Sequence, residues 1–378
     1  MTRLIPYTGR PLRAIVVGAG PMGRGWLRNL QDSKDVEPVA LVDLSLDAAT
    51  SALAELGLGG LAVAQRISEL PDGLDADVVV NVTVPAAHHA VSTEALRAGY
   101  PVLTEKPLAP TVSEALSLAA AAEASGHLLM VSQSRRYYRT LDQFKSVVDR
   151  LGEVGLIRAD FFKAPRFGGF RDEMAHPLLI DMAIHAFDAM RYLVDDEVVA
   201  VYCDEFNPAW SWYRGDASVV ATFTLRSGAR FVYTGSWCAD GLETSWNGDW
   251  RISAARGTAR WDGESAPTWE GDAEISAVDP GEIPEEIAGS LAEFVAAVRT
   301  GAPTPNSARG NLASLAMVEA AVLSAERGER VILQDVVDEA LQKAIADERD
   351  PEIAGVLRSW AGDRGTGIGH GSVSSPPR

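Results

Sequence analysis

Apolar and polar positions follow two different rhythms along the 378 residues. In the first third, short apolar runs alternate with helix-like stretches. Residues 13–17 (RAIVV) form an apolar run that ends in Gly18, Gly20 and Gly23, and WLRNL then reads as the start of a helix. Strands are predicted over 36–43, 75–84, 100–107 and 127–133, and helices over 47–56, 88–99 (closed by Gly99) and 111–126. Strand and helix in strict alternation imply a parallel, doubly wound sheet.

After about residue 133 the rhythm changes. An Arg- and Tyr-rich helix over 135–150 leads to a strand near 154–163 and a second helix over 178–194. Five β-like runs follow, at 198–206, 217–228, 229–237, 249–257 and 258–263, joined by short glycine-bearing turns. Such a series predicts a large, mostly antiparallel open sheet in an α+β domain. Helices return at 283–299 and 309–326, and the Gly/Ser/Pro-rich end reads as a disordered tail. The expected organisation is an α/β fold with a Rossmann domain over 1–133, an α+β domain for substrate and oligomerisation over 134–350, and the tail over 361–378.

Charge narrows the partners. A formal net charge of −18 disfavours nucleic acid and anionic membranes. There is no apolar run of membrane-spanning length and no signal-peptide core at the start, so a cytoplasmic location is expected. Cys203 and Cys238, the two cysteines, have no metal-like spacing and are expected as reduced thiols.

The glycine cluster carries the first chemistry. Gly18-Ala19-Gly20-Pro21-Met22-Gly23 fits G-x-G-x-x-G after a strand and before a helix. The first glycine permits the tight turn, the second admits the pyrophosphate, and the third lets helix and strand pack closely. Asp43, twenty residues after Gly23, closes the next strand. A carboxylate there accepts the ribose hydroxyls and repels a 2′-phosphate, which favours NAD over NADP. The plain alternative makes Asp43 a helix cap.

Thr104-Glu105-Lys106-Pro107 ends a parallel strand, where open α/β sheets bind ligands. A lysine beside an oxidised nicotinamide is a usable acid or base. A surface lysine in a turn is the bland reading. In the second domain, Asp181, His185, Asp188 and Tyr192 are spaced to share one stripe of a helix, with Met182, Ala186, Phe187, Met190 and Leu193 opposite. A solvated face is the default for such a stripe. A metal site needs a third ligand that the sequence does not supply.

Taken together, GAGPMG, ALVD, NVTVPAAHHAVSTEALRAGYPVLTEKPLA, SRRY and DMAIHAFD resemble the glucose-fructose oxidoreductase, inositol dehydrogenase and MocA (Gfo/Idh/MocA) family over about residues 12–335. The resemblance implies an NAD-dependent oxidoreductase that oxidises a hydroxyl, or reduces the ketone, of a sugar, sugar derivative or cyclitol. It implies a homodimer or homotetramer through the C-terminal sheet. Lys106 then lies by substrate and nicotinamide, His185 is the general base, and Asp181 orients a hydroxyl or the His185 ring. Thr83, Pro85, His88 and Glu105 join Gly18, Gly20, Pro21, Met22, Gly23, Asp43 and Lys106 on the cofactor. For His88 a position at the helix start without ligand contact stands equally open. Arg136, Tyr137, Arg166 and His176 are candidate substrate contacts, His176 because it stands where the family commonly carries glycine. Asp188 is expected to brace the helix. Two other functions fit the scaffold: glycosidic cleavage through transient oxidation, or a non-catalytic NAD- and sugar-binding regulator.

Seven of the nine tryptophans fall between Trp210 and Trp269. Most are expected in the core or in a subunit interface. Trp246 and Trp250, beside Asn247 and Asp249, are the candidates for sugar stacking.

Overall fold

A computed structural model describes residues 3–272 and 275–362. Contacts divide them into two compact units. One comprises 3–134, 286–313 and 340–362, and the other the described residues of Arg135–Glu285 together with Ser314–Glu339.

The first unit is built on a parallel sheet of β1 (Leu12–Val17), β2 (Val36–Val42), β3 (Ala62–Ala64), β4 (Val78–Asn81), β5 (Val102–Glu105) and β6 (Leu129–Ser132), in the order β3-β2-β1-β4-β5-β6. Every residue of β4, β5 and β6 is buried, which is why these strands read as continuous apolar runs. The crossover helices are α1 (Pro21–Asp32), α2 (Leu46–Glu55), α3 (Pro85–Arg97) and α4 (Val112–Ser125). The order reverses between β1 and β4, the crevice where such sheets take ligands. The short β3, on the sheet edge, is not among the strands predicted from the sequence.

The second unit carries α5 (Arg139–Val148) and α6 (Ile184–Leu193) and an eight-stranded sheet. Its strands are β7 (Val154–Phe162), β8 (Val198–Phe206), β9 (Ser218–Leu225), β10 (Arg230–Ser236), β11 (Asp249–Ala254), β12 (Gly257–Trp261), β13 (Thr268–Gly271) and β14 (Val331–Ile332). They run in the order β13-β12-β11-β7-β10-β9-β8-β14, antiparallel except for the β7–β10 pair. Alternate residues of β9 and β10 are buried, and Phe187 of α6 packs edge-on against Phe223, Phe231 and Tyr233. The sheet thus has one face under α6 and one open face. Cys203 and Cys238 are buried free thiols.

The chain end departs from the expected division. Helix α7 (Glu286–Thr300), the start of α8 (Ala308–Arg327), the end of α9 (Leu333–Asp347) and α10 (Pro351–Gly362) belong to the first unit. The segment expected as one domain over 134–350 is therefore interrupted. The physical reason is apolar cover. Buried Ile353, Ala354 and Leu357 of α10 give it an apolar face, and α10 packs on α4. Residues 361–362 of the expected tail are the last turn of this helix, and 363–378 lie outside the described residues. Neither α9 nor α10 was anticipated from the apolar pattern.

Candidate functional site

The first unit supplies a cradle at the end of β1. Gly18 has φ +113°, and a Cβ there would lie 2.7 Å from the Val82 carbonyl oxygen. A Cβ on Gly23 would lie 1.9 Å from the Gly18 oxygen, so only glycine lets α1 start here. Gly20 differs, since a Cβ on it would meet nothing within 4 Å. It caps α1 without a side-chain bond, and Pro21 holds the first helical position. Two glycines thus serve the fold, and the third keeps backbone bare in front of a helix N-terminus. That is the arrangement a pyrophosphate needs, so the residues present fit a dinucleotide. Met22 is exposed beside it.

Asp43 sits just beyond β2. Its Oδ2 accepts from the Ala19 N–H at 2.8 Å and its Oδ1 from the Ser45 N–H at 2.9 Å. The cap of α2 is Ser45, which accepts from Ala48 N. Asp43 therefore serves the glycine turn and leaves the helix cap to its neighbour. Each of its oxygens retains a lone pair for another donor.

The next strand ends form a hydrogen-bonded frame. Thr83 Oγ1 donates to Asn81 Oδ1 at 2.7 Å, and Asn81 Nδ2 donates to Ser92 of α3. Pro85 opens α3. Glu105 is buried and accepts from the Trp26 indole N–H of α1 at 2.8 Å and from the Lys106 N–H at 3.1 Å. Burial pushes its carboxyl above the usual carboxylate range. The half-buried Lys106 precedes Pro107 through a cis peptide bond.

His88 takes the plainer of the two places read from the sequence, in the first turn of α3 without a ring nitrogen left for a ligand. It is fully buried, with Nδ1 2.7 Å from the Pro107 carbonyl oxygen and Nε2 3.0 Å from the Thr83 carbonyl oxygen. Both ring nitrogens face backbone, which leaves none to touch a cofactor. Burial holds its pKa below the ordinary histidine value. Glu105 is corrected likewise: its carboxylate is buried against Trp26 and Lys106 N, where it braces the segment and is shut off from a cofactor.

In the second unit the expected helix over 178–194 is present, but residues Leu178–Ala183 form a π-helical turn before α6. The wider turn takes Asp181 out of step with His185, so the single stripe is broken. The stripe is not solvated either, since His185 and Asp188 are both buried. His185 lines a cavity together with Arg135, Asp160, Trp246 and Asn247. Arg135 Nη1 donates to Asn247 Oδ1 at 2.8 Å and to the Trp246 carbonyl. Asp181 accepts from Arg171 Nε at 2.7 Å, and the Arg171 guanidinium also rests on the rings of Phe167 and Phe170.

Two candidate substrate contacts are overturned. The Arg136 guanidinium is committed to a buried, two-pronged bond with Asp188, and Asp188 also accepts from Ser314, so it does brace α6. His176 Nδ1 lies 2.6 Å from Glu205 Oε2 and its Nε2 3.5 Å from Glu326 Oε1. Both of its nitrogens are thereby engaged, and the Glu205 carboxylate raises its pKa. Arg166 is exposed, stacked 3.8 Å from the Trp212 ring centre and 3.6 Å from Asp240, and Tyr137 is half-buried ahead of α5. Among the described residues no group of three or more His, Cys, Asp or Glu is placed to hold a metal ion.

Arg135, Asp160 and Asn247 are the site residues that the sequence reading passed over. The SRRY run does carry a signal for Arg135. In the short 3-10 turn Ser134–Arg136, neighbouring side chains point apart, so one arginine can be buried while the next reaches the cavity.

Comparison with known proteins places these features in context. Residues 12–133 match an oxidoreductase family with an NAD-binding Rossmann fold, GFO_IDH_MocA, and residues 143–260 match the GFO/IDH/MocA C-terminal domain. An inositol 2-dehydrogenase of Pseudarthrobacter chlorophenolicus is 27% identical over 341 residues, covering 85% of this chain and 96% of that protein. An oxidoreductase from Agrobacterium radiobacter, solved with NAD+, L-tartaric acid and magnesium, superposes with a TM-score of 0.77 at 20% identity, covering 86% of this chain and 99% of that one. The WlbA dehydrogenase from Chromobacterium violaceum, solved with NADH and UDP-GlcNAcA, gives 0.74 at 22% identity, covering 88% and 99%.

Proposed function

The chain belongs to the Gfo/Idh/MocA oxidoreductase family, and on that premise we propose that it is an NAD-dependent dehydrogenase oxidising a hydroxyl of a sugar, sugar derivative or cyclitol, or reducing the corresponding ketone. The observation that carries the reading is the bracing of Lys106. Glu105 ties it to Trp26 of α1, the helix that the glycine turn opens, so cofactor cradle and lysine form one frame. The activity named for the inositol 2-dehydrogenase relative supports the hydroxyl-bearing substrate class.

Bare backbone at Gly20 and the first N–H groups of α1 would hold the pyrophosphate, and Asp43 would take the ribose hydroxyls. Asp43 repels a 2′-phosphate, which makes NAD the preferred form over NADP. Bound NAD supplies the hydride acceptor. His185 is the group that takes the hydroxyl proton on an imidazole nitrogen, and Lys106 Nζ polarises or relays. Asp181, held by Arg171, orients a neighbouring hydroxyl. Arg135 replaces Arg136 as the arginine that meets substrate, and Trp246 offers it an aromatic face.

We place the protein in the cytoplasm as a homodimer or homotetramer. Leu156, Tyr202, Phe206 and Val220 are exposed on the strands of the second sheet, which gives its open face apolar material for a self-complementary interface. Among the described residues no helix is long and apolar enough to cross a membrane.

The test is a screen for NADH formation across sugars, glycosides and inositols, with Lys106→Ala as control. Turnover is expected to fall by orders of magnitude in the variant while NAD binding is kept. Equal turnover would overturn the assignment.

A further inference from the structure

We propose that His88 is a positioning residue for Lys106, acting through a hydrogen bond from its Nδ1–H to the Pro107 carbonyl. The inference rests on the reading that Lys106 works on the substrate hydroxyl. Lys106 projects from backbone that is held on both sides. On the N-terminal side, Glu105 holds Trp26 and the Lys106 N–H. On the C-terminal side, the Pro107 oxygen lies 2.7 Å from His88 Nδ1. His88 sits in the first turns of α3, and α3 also anchors the end of β4 through the bond from Asn81 to Ser92. One imidazole thus joins the segment after β5 to the helix after β4.

The proton on the ring can be assigned from the two neighbours. Carbonyl oxygens only accept, so each contact needs an N–H. A neutral ring has one, and burial keeps this ring neutral. The contact to Pro107 is the shorter, 2.7 Å against 3.0 Å to Thr83, so the hydrogen belongs on Nδ1. Fully buried, His88 has no water to replace that bond. Without it the Lys106–Pro107 segment loses its tie to α3, and the ammonium is free to drift from the position where it meets substrate.

Side-chain geometry provides the test. The amide nitrogen of Asn can stand where Nδ1 stands, and that of Gln reaches the place of Nε2. His88→Asn therefore keeps the bond to Pro107, and His88→Gln keeps a donor only on the Thr83 side. With a polyol that passes the NADH screen, His88→Gln is expected to lower kcat at least about tenfold, the scale of a small misplacement of a catalytic group. The KM and the NAD affinity, read by quenching of tryptophan fluorescence, stay near those of the parent protein. His88→Asn is expected to recover most of kcat. Independently of turnover, 15N spectra of histidine-labelled protein are expected to show the Nδ1–H tautomer for His88.

An Nε2–H tautomer, an unimpaired His88→Gln, or equal losses in the Asn and Gln variants would overturn the inference. Lys106→Ala, run alongside, separates the two levels. If it turns over normally, the functional reading fails. If it is inactive while His88→Gln is normal, only the role of His88 fails.

Discussion

Asp188 holds Arg136 with both carboxylate oxygens, Oδ2 to Nε at 2.5 Å and Oδ1 to Nη2 at 2.8 Å, and both side chains are shut off from water. Arg191, one turn further along α6, lies 3.9 Å from the same carboxylate. Burial and the Arg136 charge pull its pKa down to about 10. The Asp188 carboxylate therefore faces two guanidiniums. Removing it breaks the buried Arg136–Asp188 pair, which costs about 3–5 kcal/mol. Asp188→Ala is expected to lose stability on that scale in a urea titration. Asp188→Asn, which keeps an acceptor for Ser314, is expected to lose less. A loss no greater than that of an exposed ion pair, under about 1 kcal/mol, would show that the pair is solvated in solution.

The three glycines of the turn separate fold from binding. Gly23→Ala puts a Cβ 1.9 Å from the Gly18 oxygen and has to push backbone apart. It is expected to destabilise by about 1–3 kcal/mol in a thermal melt. Gly20→Ala meets nothing within 4 Å and should melt like the parent protein. Its new methyl group occupies the approach of the pyrophosphate, so NAD affinity is expected to drop at least about tenfold, or 1.4 kcal/mol. Unchanged NAD binding in Gly20→Ala would remove the cofactor from this turn.

His176 titrates against Glu205, with Glu326 and Asp216 adding negative charge, and its folded-state pKa is raised above 6.5. A raised value means that the folded state binds the proton more tightly than the unfolded chain. The stabilisation is fully present below the unfolded histidine pKa and is lost as pH rises through the folded value. The C2–H resonance of His176 is expected to titrate above 6.5, with the midpoint falling in Glu205→Gln. A midpoint unmoved by that substitution would show that the pair does not form.

The glycine turn and the places of Asp43 and Lys106 just past the ends of β2 and β5 were legible because each depends on backbone geometry within a few residues, which the sequence encodes directly. The roles of Glu105 and His88 were not. Both residues lie in recognisable motifs, but their partners are Trp26, 79 residues away, and the Pro107 carbonyl, 19 away. Such distances leave no local signal. The π-helical turn at Leu178–Ala183 defeated a stripe argument that assumes 3.6 residues per turn. The C-terminal helices escaped for another reason. Their apolar faces are real, but only the fold says which unit they cover.

Trp246 and Trp250, paired as stacking candidates in the sequence, part company in the structure. Trp250 is 1% exposed, lies parallel to Phe231 and donates from its indole N–H to the Asn247 carbonyl at 2.8 Å. Truncating such a ring removes core, and Trp250→Ala is expected to cost about 3–5 kcal/mol of stability. Trp246 is 39% exposed, with Phe167 stacked on it and Lys163 5.2 Å from its ring centre. It also lines the cavity that His185 lines. Its ring is therefore available to the apolar C–H face of a sugar or cyclitol, a contact worth about 0.5–1.5 kcal/mol. Trp246→Ala is expected to raise the substrate KM roughly two- to tenfold, the equivalent of that energy, with kcat and the melting temperature little changed. If Trp246→Ala instead melts as early as Trp250→Ala and binds substrate normally, the ring belongs to the core and the stacking face must be sought elsewhere.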